Sequence, residues 1–75
     1  MVKNYRFSVV IEQDEDGYFA FSPELQECYA QGDPYEEVLT NIQDAIRLHV
    51  IDRLESGKDI PQAELVSLAS LEVAI

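Results

Sequence analysis

The sequence predicts an α+β fold, a two-layer β-β-β-α-β domain with one helix packed on a small mixed sheet. Three observations predict it. The stretch from Gln31 to Gly57 repeats apolar residues at helical spacing, with Val38, Leu39, Ile42, Ala45, Ile46, His49, Val50 and Leu54 on one face. The residues before it fall into short alternating runs separated by turn residues. After it, Val66 to Ile75 is apolar and ends in the alternating Leu71-Glu72-Val73-Ala74-Ile75. A helix that crosses over to a following strand normally lays that strand parallel in the same sheet, so the sheet is expected to be mixed.

The first strand is expected over Asn4 to Glu12, with Tyr5, Phe7, Val9 and Ile11 pointing one way. Gln13 to Gly17 is a polar turn ending in the hairpin pair Asp16-Gly17. Tyr18 to Ser22 makes a second strand, Pro23 opens a loop, and Cys28 to Gln31 makes a third. Gly32 allows the turn into the helix. There Asp33 is the expected N-cap, Pro34 the first helical residue, and Glu36 the partner in a capping box. Glu36 and Glu37 in the first turn and Arg53 in the last suit the helix dipole, and Gly57 is the expected left-handed stop. Lys58 to Pro61 is an extended connector, and Gln62 to Leu65 is left unassigned.

Seventy-five residues make one domain, 1–75, with a thin core: a chain this short buries about 60–65% of its unfolded surface. With one cysteine there is no disulfide framework, so a homo-oligomer (a dimer or higher) or a permanent partner is the expected staple. A single cysteine also fits a reducing compartment. There is neither a basic-then-apolar leader pattern nor an apolar run of membrane-spanning length, so a cytoplasmic location with no membrane contact is expected.

Charge narrows the partners. The net charge is −10, and between Arg6 and Arg47 there is no Lys or Arg. Ten acids occupy that interval: Glu12, Asp14, Glu15, Asp16, Glu24, Glu27, Asp33, Glu36, Glu37 and Asp44. Such a field repels phosphate backbones, which argues against direct nucleic-acid binding and favours a basic protein. The alternative is that the acids only keep a small protein soluble.

Catalytic signals are poor. Asp14, Glu15 and Asp16 lack the later ligands of a calcium loop. No set of inward carboxylates marks a two-metal nuclease. Cys28 and His49 fit structural roles, and Ser22 and Ser56 lack a nucleophile-elbow context. The tyrosines suit a protein interface better than a stacking platform for single strands, since no Lys or Arg accompanies them. No cofactor, metal or catalytic residue is expected. The candidate partner-binding set is Asp14, Glu15, Asp16, Glu24 and Glu27, with Tyr18, Phe19 and Phe21 as aromatic anchors.

Tyr18-Phe19-Ala20-Phe21-Ser22-Pro23-Glu24-Leu25, Cys28-Tyr29-Ala30-Gln31-Gly32-Asp33, Tyr35-Glu36-Glu37 and Asn41-Ile42-Gln43-Asp44-Ala45-Ile46 together resemble the HicB antitoxin family. The resemblance covers about residues 4 to 62. Gln26-Glu27 stands where the family usually has Pro-Gly, and Pro34 where it usually has Thr. The resemblance implies a fold similar to a truncated ribonuclease H without its active-site carboxylates. It implies no enzyme activity, and a small basic HicA-type mRNA-cleaving toxin as partner, neutralised by masking its active site. Many members add a C-terminal DNA-binding domain; none is expected here. Two other readings stay open: a degenerate ribonuclease H-like nuclease using Glu12, Asp14 and Asp16, and a stand-alone homo-oligomeric binding module without a toxin.

Overall fold

The computed structural model describes residues 4–62 and 65–75. The elements are β1 (Val10–Asp14), β2 (Gly17–Phe21), β3 (Tyr29–Gly32) and α1 (Tyr35–Glu55). The strands form an antiparallel sheet of order β1-β2-β3, and α1 lies on it chiefly over β3 and β2. The architecture is the expected two-layer α+β domain.

The register explains which residues make the core. Ile11 stands opposite Ala20, and Ala20 opposite Ala30. Side chains alternate across a strand, so Ile11, Tyr18, Ala20 and Ala30 share the helix-facing side. Val38 and Ile42 of α1, with Ala20, Leu25 and Cys28, form the buried core, and Phe7, Val9, Ile11, Ala45 and Ile46 pack around it. The opposite side carries Phe19, Phe21 and Tyr29. Their rings are in contact, with centroids 6.2 Å (Phe19–Phe21) and 5.8 Å (Phe19–Tyr29) apart.

Gly32 sets how closely the two layers approach. A Cβ there would lie 2.7 Å from the backbone nitrogen of Val38 and 2.9 Å from its Cα. Only glycine lets the end of β3 pass under the first turn of the helix.

Four sequence expectations are corrected. The first strand joins the ladder only from Val10, although Tyr5, Phe7 and Val9 do turn toward the helix and line a cleft with Leu39, Ile42 and Ile46. The reason lies opposite: β2 ends at Phe21 and the chain then turns into the Ser22–Cys28 loop, so residues 4–9 face no strand. A side chain substitutes, with the Glu24 carboxylate accepting the Ser8 N–H at 2.7 Å. The hairpin turn is Glu15–Asp16, one residue earlier than expected, and Gly17 closes it opposite Asp14 with φ +126°.

The helix start is also different. Pro34, not Asp33, is the N-cap residue: its backbone is extended (φ −82°, ψ −171°), and no side chain caps the helix. The Pro34 carbonyl instead accepts the N–H groups of Glu37 at 3.0 Å and Val38 at 3.4 Å. The stop is as expected. Gly57 takes φ +70°, Gly57 N–H donates to the Leu54 carbonyl and Lys58 N–H to that of Arg53, a complete Schellman motif.

The fourth strand does not form. Residues 65–75 carry no ladder, and the sheet is wholly antiparallel. Leu68, Leu71 and Val73 are 88%, 85% and 75% exposed. The apolar alternation is real, but no strand of the same chain is paired with it. Part of the unassigned stretch, Ala63 and Glu64, lies outside the described residues. Of the helical face, Val38 and Ile42 are buried and Ala45, Ile46, His49 and Val50 half-buried, while Leu39 and Leu54 stay exposed. Leu48 and Ile51, also exposed, are off that face: they lie about 120° and 180° round the helix from Ile42.

Candidate functional site: an acidic groove beside an aromatic sheet face

The two-residue hairpin loop places the acids of the turn beside the start of the helix. Pairing of Asp14 with Gly17, and of Tyr18 with Gly32, brings the end of β3 alongside the turn. Chain reversal at Gly32 then carries Asp33 and Glu37 to the same place. The result is an open groove of about 440 Å³ lined by Asp14, Asp16, Gly17, Tyr18, Phe19, Gln31, Gly32, Asp33 and Glu37. Four of these are acids and none is a base. Asp14 has a second role, since its Oδ1 accepts the Asp16 N–H at 2.8 Å and fixes the turn. Among the described residues, no three His, Cys, Asp or Glu side chains converge in a way that would hold a metal ion.

The structure divides the sequence-derived candidates between two ends of the sheet. Asp14, Asp16, Tyr18 and Phe19 line the groove, and Glu15 sits exposed in the turn beside it. Glu24 and Glu27 lie beyond the far end of β2, about 13 Å from the turn by strand rise. Glu24 is half-buried and engaged by Ser8, whereas Glu27 is exposed. Glu27 holds a left-handed backbone, φ +60°, at the position where the resemblance expects glycine. Of the aromatics, Tyr18 turns toward the helix and packs edge-on against Tyr35 at 5.4 Å. Phe19 and Phe21 lie on the other side with Tyr29, between the two ends.

Sequence reasoning missed Gln31, Asp33 and Glu37 as groove residues. A signal was present: acids one and five residues beyond the last strand must return to its end, next to the turn of a neighbouring hairpin. Their fit to helix-start chemistry drew attention away from it. Cys28 and His49 lie elsewhere. Cys28 is buried in the core, and that burial pushes its thiol pKa up, the opposite of an activated nucleophile. His49 is half-buried in the later part of α1.

A family model described as the HicB-like antitoxin of bacterial toxin–antitoxin systems matches residues 7–73. The chain belongs to this family. A UPF0150 protein of Synechocystis is 36% identical over 63 residues, covering 83% of this chain and 80% of the relative. A UPF0150 protein of Helicobacter pylori is 56% identical over 45 residues, covering 60% of this chain and 62% of the relative. The protein named antitoxin HicB 2 of Photorhabdus laumondii is 34% identical over 73 residues; the match spans 97% of this chain but 52% of that protein. No solved structure matches the chain. Among the described residues, no helix of this HicB-like chain is long and apolar enough to cross a membrane.

Proposed function

We propose that this HicB-like chain neutralises a small, basic, HicA-type mRNA-cleaving toxin by covering its active site, and that the acidic groove is where the toxin's basic side chains dock. The observation that carries the reading is the juxtaposition of Asp14, Asp16, Asp33 and Glu37 in one groove without a base. Binding the phosphate backbone of RNA takes a basic surface, and a surface of opposite sign covers it and steers the encounter. Tyr18 and Phe19 in the groove, and the Phe19–Phe21–Tyr29 face beside it, supply the apolar contact that charge alone lacks. Glu15 adds to the field at the rim, whereas Glu24 and Glu27 belong to the far end and contribute mainly at long range. In this reading the chain acts as one non-catalytic domain in the cytoplasm and makes no direct contact with nucleic acid.

The test uses the product of the neighbouring reading frame as the toxin. Asp14→Lys with Asp16→Lys should slow association by roughly tenfold or more at low salt and flatten its salt dependence, because rim charges act chiefly on the on-rate. Glu27→Lys, at the other end, should change it far less. Equal association rates and salt slopes for all three proteins would sink the reading.

A further inference from the structure

We propose that residues 65–75 of one copy add as a strand to the free outer edge of β1 in a second copy, and reciprocally, making a two-fold dimer. This interface is separate from the acidic groove and stands whether or not the groove takes a toxin.

Several observations meet here. The segment makes no ladder although its end, Leu71-Glu72-Val73-Ala74-Ile75, alternates as a strand does, and its apolar side chains Leu68, Leu71, Val73 and Ile75 are left in solvent. Among the described strands β1 has a neighbour on one side only, so its other edge is unpaired. Such an edge is a template for another strand. The two are already adjacent at one point, where Val66 and Leu68 line a cleft of about 490 Å³ with Ser8, Val10, Phe21 and Pro23. Beyond that point the segment does not stay with the body. The Cα radius of gyration is 14.4 Å and the longest dimension 48 Å. A compact chain of this length has a radius of about 11 Å.

Charge selects the occupant. Two copies carrying −10 each repel, except where their surfaces are nearly neutral. Residues 65–75 hold a single charged side chain, Glu72, and the near end of the facing stretch, Ser8–Ile11, holds none; the acids of β1, Glu12 and Asp14, lie toward the turn. A basic partner would be drawn to the acids at the hairpin turn, at the opposite end of β1. The neutral end is the place where a second copy of this chain approaches at least electrostatic cost. Exchange about a two-fold axis uses the same two surfaces twice and leaves no β1 edge open to growth.

The test is sedimentation of the full chain at about 100 μM, in 0.05 and 0.5 M salt. The expected result is a species of twice 8.5 kDa, with tighter association at high salt as the mutual repulsion is screened. Leu71→Asp with Val73→Asp should give a monomer with unchanged helical circular dichroism. Mixing Glu12→Cys copies with Val73→Cys copies and a short bis-maleimide should cross-link the two; the buried Cys28 stays inert, as wild type alone will show. A monomeric wild type, a dimer that survives the double aspartate change, or a cross-link formed only within a doubly substituted single chain would each overturn the proposal. The last would mean that the segment folds back onto its own β1.

Discussion

Gly32→Ala should force the two layers apart. The added Cβ would stand 2.7 Å from Val38 N, 2.9 Å from Val38 Cα and 3.0 Å from the Glu37 carbonyl carbon. Ordinary contact begins near 3.4 Å, so the helix start must retreat by about 0.7 Å. All three neighbours are backbone, and no rotamer change relieves the clash. Overpacking of this kind costs about 1–3 kcal/mol. The retreat also lifts Val38 and Ile42 from Ala20, and a gap of that size forfeits about a quarter to a half of each contact. A total of about 2–4 kcal/mol follows, from a domain whose whole stability is about 4–11 kcal/mol at this length. With a urea m-value of about 1 kcal/mol/M, the midpoint should fall by about 2–4 M. The melts need one fixed protein concentration, because dimerisation adds to apparent stability. Gly57→Ala is the comparison. Gly57 is also conformationally special (φ +70°), but an added Cβ there meets nothing within 4 Å, so only the backbone cost of about 1 kcal/mol applies. If Gly32→Ala proved no worse than Gly57→Ala, the close approach would not be what sets the layer spacing.

Other changes separate what the sequence suggests from what the structure uses. Ile42→Ala, at a buried site, should cost about 2–5 kcal/mol in the same melts. Asp33→Ala should cost under about 0.5 kcal/mol, because no side chain caps the helix; a loss near the ~1 kcal/mol of a true N-cap would restore the sequence reading. Glu27→Gly should stabilise by about 0.5–1 kcal/mol, since glycine takes φ +60° without steric cost, and a destabilised variant would contradict this. Burial raises the Cys28 thiol pKa, so stability is full below the unfolded thiol's pKa, falls as pH rises above it, and stops falling once pH passes the folded value. Cys28 should accordingly react with a thiol reagent at pH 8 far faster in urea than in the native state.

Much of the fold could be read because each element carries its own periodicity. Val38, Ile42, Ala45 and Ile46 marked the buried side of the helix, and Gly57 its end. What failed were features that depend on a partner. Tyr5, Phe7 and Val9 alternate as a strand should, but pairing requires backbone opposite them, and β2 stops at Phe21. Leu71, Val73 and Ile75 alternate equally well and pair with nothing in a single copy. The cap failed for a different reason. Asp33 has the right chemistry at the right spacing, yet the extended Pro34 became the boundary residue and its carbonyl took the first helical amides. The groove was half legible: charge singled out Asp14 and Asp16, and only strand register joined Asp33 and Glu37 to them.

The Ser22–Cys28 connection looks like a surface loop, but it behaves as part of the core. Leu25 and Cys28 are 3% and 2% exposed, and two backbone hydrogen bonds close the loop, Ser22 N–H to the Cys28 carbonyl and Leu25 N–H to the Ser22 carbonyl. This bears on where foreign sequence can be spliced. An epitope tag or fluorescent domain inserted between Gln26 and Glu27 would draw out of the core two of the five apolar side chains buried there among the described residues. The Glu15–Asp16 turn would accept the same insert without disturbing any buried residue, yet it would set a bulky object on the rim of the acidic groove. A reporter in the one loop destroys the fold it is meant to report on, and in the other it blocks the surface whose binding it is meant to follow.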